Sequence, residues 1–150
     1  MTSSRRLATF SLADMFFGVD VLQVQEVIRC PEMTPVPLAP REIQGLMNLR
    51  GQIVTAIDLR RRLGFPERFS REPPMNVVVS REMEVVSLLV DEIGDVLEVD
   101  EAAFEAPPAT LSGAVREVLT GVYKLEGRLL LVLDTARASD VQWTRAARAV

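Results

Sequence analysis

The sequence predicts a mainly β protein built as a pair of small barrel-like lobes. Three observations carry this: short apolar runs recur at even intervals, the two halves of the chain are alike in make-up, and helical periodicity is confined to brief stretches. With 150 residues, 48% of them hydrophobic and 25% charged, the chain has material for a sizeable core and no tendency to global disorder. A lobe alone, at roughly 60–70 residues, is marginal, so the two must pack against one another.

Leu7 to Leu12 alternates apolar with small or polar residues. Ala13-Asp14 turns the chain and Met15 to Val19 returns, which makes a hairpin. Val21, Val24, Val27 and Ile28 then fall at helical spacing, with Gln23, Gln25 and Glu26 on other faces, and predict a short amphipathic helix over 21–28. The prolines between Pro31 and Pro40 forbid helix and withhold donors from a central strand, so the chain runs extended along an edge to Arg41.

The stretch from Gly45 to Arg62 is the organising centre. Leu46-Met47 leads into a polar break at Asn48-Leu49-Arg50-Gly51, and Ile53 to Ile57 follows before Asp58: a strand, a tight turn and a strand. Asn48 and Gly51 supply the positive φ that such a break needs, and Asp58 caps the short segment Leu59–Leu63. Turn chemistry does not ask for Arg50.

Gly64 to Pro74 is polar and broken and reads as the hinge between lobes. Asn76–Val79 and Glu84–Val90 are strands about a charged turn at Arg81-Glu82. Asp91 to Val99 reads as a polar turn leading into another strand, and Ala102–Gly113 is a proline-containing connection. Val118–Leu125 and Arg128–Leu133 form a hairpin about Glu126-Gly127, and Thr135–Val150, rich in Ala and Arg, reads as a terminal helix with a thin apolar face. The division that follows is one domain over 1–150. Lobe one spans about 13–72, lobe two about 73–138 with or without the first strand, and the C-terminal helix about 135–150.

Catalytic parts are missing. The chain has no histidine, the commonest general base and metal ligand, so neither a Ser-His nor a Cys-His nucleophile can be built. Cys30 is the only cysteine, which excludes an internal disulfide and a cysteine metal cluster. The glycines are dispersed, with no phosphate-binding loop. Asp91-Glu92 and Asp100-Glu101 read as solvated turn residues, and Arg60-Arg61-Arg62 as a solvated helix face. A net charge of −4 argues against nucleic acid as partner. No apolar run approaches the roughly 18 residues of a membrane span, and no leader follows Arg5-Arg6, so the expectation is a soluble cytoplasmic protein. A binding module with no cofactor or metal, rather than an enzyme, is what remains.

The words Val24-Gln25-Glu26-Val27, Asn48-Leu49-Arg50-Gly51, Ile53-Val54 and Ile57-Asp58-Leu59-Arg60 stand in this order, followed by Val85-Val86, Leu88-Leu89-Val90-Asp91, Asp95-Val96-Leu97 and Leu119-Thr120-Gly121. Together they closely resemble the CheW-type chemotaxis coupling proteins, over roughly Leu7 to Ala138. The resemblance implies two intertwined five-stranded SH3-like barrels around a shared core. It also implies an adaptor linking the cytoplasmic tips of methyl-accepting chemoreceptors to the regulatory domain of a CheA-type histidine kinase in a signalling array. Carried over residue by residue, it places receptor contacts at Val24, Glu26, Gly45, Asn48, Arg50, Gly51 and Gly121, with Glu26 and Arg50 as an ion pair, and offers Met33, Val36 and Leu38 for the kinase. Ala13, Thr55 and Ser87 stand where the family usually has Gly, Pro and Gly. They leave open an accessory protein of a gliding, pilus or second-messenger pathway.

Overall fold

A computed structural model describes residues 3–29, 31–67, 72–81 and 84–141. The expectations for Cys30, for part of the 64–74 hinge, for Glu82 and for Trp143 and the rest of the C-terminal segment lie outside those residues. Among the described residues ten strands form two five-stranded sheets. The first takes β1 (Ser4–Leu12), β2 (Met15–Asp20), β8 (Glu92–Asp100), β9 (Leu119–Leu125) and β10 (Arg128–Leu133), in the order β8-β1-β2-β10-β9. The second takes β3 (Val24–Arg29), β4 (Ile43–Leu49), β5 (Gln52–Asp58), β6 (Met75–Arg81) and β7 (Glu84–Val90), in the order β3-β6-β7-β5-β4.

The sheets do not divide the chain at residue 72. β2 finds β10 as a parallel neighbour and β5 finds β7, so the N-terminal hairpin completes a sheet whose other strands come from the far end of the sequence. The 64–74 segment joins α1 (Leu59–Arg62) to β6 within the second sheet, and so is not a hinge between lobes. Each sheet repeats one plan, a hairpin that ends in a one-turn helix. α1 follows β5 and α3 (Thr135–Ala138) follows β10, with the carboxylates of Asp58 and Asp134 capping the amides of Arg61 at 3.3 Å and Arg137 at 3.1 Å. Gly45, Gly51 and Asp58 keep the same spacing as Gly121, Gly127 and Asp134.

Buried strands here read as continuous apolar runs because both of their faces are covered. β10 sends Leu131 and Leu133 into a core shared by the two sheets, and Leu130 and Val132 into a smaller cluster with Leu7, Phe16 and Tyr123. β6 likewise sends Val77 and Val79 into the shared core and Val78 against Met47 and Val54. The result is one core between the lobes and a lesser one within each.

The predicted helix over 21–28 is not formed. Val21–Gln23 make a single 3-10 turn capped by Asp20 on the Leu22 amide at 2.9 Å, and Val24–Arg29 is strand β3, paired with β6 from Val24 opposite Val79 to Arg29 opposite Met75. A two-turn helix satisfies few backbone bonds, whereas β-branched Val24, Val27 and Ile28 fit the ladder that β6 offers. Among the described residues the terminal helix stops at Ala138: the Ser139 hydroxyl donates back to the Thr135 carbonyl at 2.7 Å, and Val141 is buried in the shared core.

The arginines after Asp58 are not a solvated face. Arg60 donates Nε to Asp91 Oδ1 at 2.9 Å and Nη2 to Oδ2 at 2.6 Å, and Nη1 to the Pro66 carbonyl at 2.8 Å. Arg61 reaches Asp58 and Glu67, and Arg62 the Arg137 carbonyl. Asp91, expected in a solvated turn, also accepts the Ala13 amide at 2.9 Å. It is the one residue between β7 and β8, where the chain crosses from the second sheet to the first, so its carboxylate ties α1 to the β1–β2 turn. The hydrogen bonding that Arg60 donates to the Asp91 carboxylate holds its pKa above the usual value, outweighing the effect of partial burial. Replacing Asp91 with Asn keeps the shape and removes the charge, and is expected to cost about 2 kcal/mol, read from the urea midpoint.

Candidate docking site

β4 and β5 are joined by the two-residue turn Arg50-Gly51, with Leu49 opposite Gln52. Both turn residues have positive φ, 54° at Arg50 and 85° at Gly51, the pattern of the hairpin turn whose twist matches its strands. Asn48 does not take the left-handed conformation expected of it. It lies in β4, and its Oδ1 accepts the Gly51 amide at 2.9 Å. The burden falls on Arg50, at a position where Asn, Asp or Gly is the usual occupant.

Arg50 Nη1 lies 3.1 Å from Glu26 Oε2, so the anticipated ion pair is formed, from a strand rather than a helix. β3 and the β4–β5 hairpin stand at opposite ends of the strand order, and a side-chain contact between them requires the sheet to curl so that its two ends approach. The curl encloses Met47, Val54 and Val78, with Ile28 and Leu49 packed against them. Glu26 is anchored, its side chain 15% exposed, while that of Arg50 is 78% exposed. The carboxylate thus steadies a guanidinium whose remaining donors face solvent. An exposed pair adds only about 0–1 kcal/mol to stability, so folding alone does not account for an arginine on a strained turn.

Beside the pair, Ile53 stands 63% exposed opposite Asn48, and Val27 is exposed on β3. Ile53 was not singled out, yet its place is legible: Val54 points inward, so its neighbour on a strand points out. Val24 packs against the shared core, because a bulge between Val24 and Glu26 sets the two apart.

Gly45 and Gly121 share a backbone cause. A Cβ on Gly45 would stand 2.8 Å from the Thr34 carbonyl oxygen, and one on Gly121 would meet the Phe104 ring and stand 2.6 Å from the Glu105 carbonyl oxygen. Thr34 pairs with Leu46 and Glu105 with Val122 as isolated bridges. Each glycine therefore lets the preceding connection lie against an edge strand, once in each sheet. Gly121 belongs to the first sheet, whereas Arg50 and Glu26 belong to the second. Gly51 has nothing within 4 Å of where a Cβ would be, so its requirement is conformational only.

The three apolar candidates on the β3–β4 connection differ. Met33 packs against the second sheet's own cluster and Val36 is half-buried, while Leu38 is fully exposed with a φ of 66°.

Comparison with known proteins is consistent along nearly the whole chain. The family model described as CheW-like domain matches residues 6–142. The chain is 31% identical over 130 residues to the chemotaxis protein CheW of Rhizobium meliloti, covering 87% of this chain and 84% of that protein. It is 29% identical over 146 residues to the chemotaxis protein CheW of Bacillus subtilis, covering 97% and 93%. Among solved structures it is similar to the scaffolding protein TtCheW from Thermoanaerobacter tengcongensis, with a TM-score of 0.84 and 27% identity, over 93% of this chain and 95% of that one.

Proposed function

Because the chain belongs to the CheW-like family, we propose that it is a non-enzymatic adaptor of bacterial chemotaxis, coupling the cytoplasmic tips of methyl-accepting chemoreceptors to the regulatory domain of a CheA-type histidine kinase. The observation that carries the receptor half is Arg50: a charged side chain on a left-handed turn, steadied by Glu26 and otherwise open. Local strain held at an exposed position is found where a partner uses the geometry. Glu26, Asn48, Arg50 and Gly51 form the polar centre of this surface, and Ile53 and Val27 offer apolar contact to a receptor helix beside it. Gly45 and Gly121 serve it by shaping the edges of the two sheets.

The kinase half rests on the connection that carries Met33, Val36 and Leu38. The protein works at arrays on the cytoplasmic face of the membrane without inserting; among the described residues no helix is long and apolar enough to cross. The test is reconstitution of purified receptor fragment and kinase. Adding this protein is expected to bring kinase autophosphorylation under receptor control, and autophosphorylation that stays indifferent to the receptor in its presence would sink the reading.

A further inference from the structure

We propose that the buried pair Asn76–Ser87 locks the register of the β6–β7 hairpin and thereby decides where Asp91 is delivered. Both residues are wholly buried. The Ser87 hydroxyl donates to Asn76 Oδ1 at 2.9 Å, while Asn76 Nδ2 finds no acceptor among the described residues. A buried donor left without a partner costs stability, so cohesion does not account for the pair.

The first sheet shows that the architecture does not need it. Val86 lies beside Thr55 of β5 as Phe17 lies beside Leu131 of β10, so Ser87 takes the place of Gly18. Asn76, opposite Leu89, takes that of Leu7, opposite Asp20. There the pair is apolar and in contact: a Cβ on Gly18 would stand 3.3 Å from that of Leu7. What sets the second sheet apart is how little its apolar pattern says about alignment. β6 runs Val77-Val78-Val79 and β7 runs Val85-Val86-Ser87-Leu88-Leu89-Val90, with apolar residues buried on both faces. β7 sends Val86, Leu88 and Val90 into the shared core. A slip of one residue would turn the strand over and offer Val85, Ser87 and Leu89 in their stead. A hairpin connection of three residues in place of the two between Arg81 and Glu84 is common enough to permit it. Apolar meets apolar at every place but one, and only the hydroxyl objects, carried away from Asn76 and into an apolar core. Asp91 follows Val90 directly, so a turned β7 would also swing its carboxylate away from Arg60 and the Ala13 amide. One buried polar contact, satisfied in a single alignment, is how coiled coils fix their register too.

The experiment compares isotope-labelled wild type, Ser87→Ala and Asn76→Leu/Ser87→Ala by solution NMR and thermal unfolding. Val78 faces Ser87 in the observed register and would face Val86 or Leu88 in a slipped one, so its cross-strand contacts report the alignment. Wild type is expected to show one alignment. Both variants are expected to add a second set of β6 and β7 resonances, at about a tenth of the intensity. Ser87→Ala strands the Asn76 amide altogether and is expected to unfold several degrees below wild type. The double variant replaces both partners by apolar groups of like shape and is expected to unfold at or above the wild-type temperature. A single alignment in either variant overturns the proposal. So does a double variant that is less stable than Ser87→Ala or does not fold, since the pair would then be a packing requirement.

Discussion

Gly121→Ala is expected to lower the free energy of unfolding by about 3 kcal/mol, the upper end of what overpacking ordinarily costs. The added methyl would face the backbone oxygen of Glu105 at 2.6 Å as well as the Phe104 ring. Phe104 is partly exposed and can swing away, but the Glu105 carbonyl is held by its bridge to Val122, whose two bonds measure 2.9 and 2.8 Å. Relief comes only by prising the 102–112 connection off β9. Gly45→Ala faces a single backbone oxygen at 2.8 Å and should cost less. Chemical unfolding of the two variants beside wild type ranks them. Equal stability of Gly121→Ala and wild type would show that the connection gives way freely and that this glycine has another cause.

Arg50→Gly should do the reverse, abolishing receptor coupling while leaving stability unchanged or raising it by up to about 1 kcal/mol. The variant removes a side chain from the left-handed region, a gain of about 1–2 kcal/mol, and loses an exposed ion pair worth about 0–1 kcal/mol. Glycine also loses more freedom on folding, which trims the gain. Gly51→Val, with open space around its Cβ but a φ of 85°, adds a strained residue without a collision and is expected to destabilise by about 1–2 kcal/mol. Thermal unfolding and receptor pull-down of the two variants separate binding from folding. Should Arg50→Gly unfold the protein as readily as Gly51→Val, Arg50 holds the curled sheet together and is not a docking residue.

What could be read from residues alone was what neighbouring residues decide. The hairpins about Arg50-Gly51 and Glu126-Gly127 were legible because turn chemistry and flanking apolar runs agree locally. β3 was misread because Glu26 occupies a largely covered position on the strand, satisfied by an arginine distant in sequence. That broke the alternation and left Val24, Val27 and Ile28 to mimic a helix. The partition of strands was illegible for a related reason: nothing near Phe16 or Leu130 announces that β2 and β10 run side by side. The Glu26–Arg50 pair itself came from family resemblance, since the residues showed only two opposite charges. The Arg60–Asp91 tie and the exposure of Leu38 depend on where other segments lie, which no periodicity reports.

The crossed assignment of strands has a consequence for how the molecule is made. The β1–β2 hairpin leaves the ribosome well before its parallel neighbour, Leu130–Val132, which is among the last described strands to emerge. The second sheet, drawn wholly from 24–90, can assemble during synthesis. Phe10 and Phe17, stacked with ring centroids 5.6 Å apart in the finished core, must until then stay covered by that early sheet or by a chaperone. A segment made early is thus among the last to find its place, and the final closure waits on a pairing between distant parts of the sequence, of high loop-closure cost.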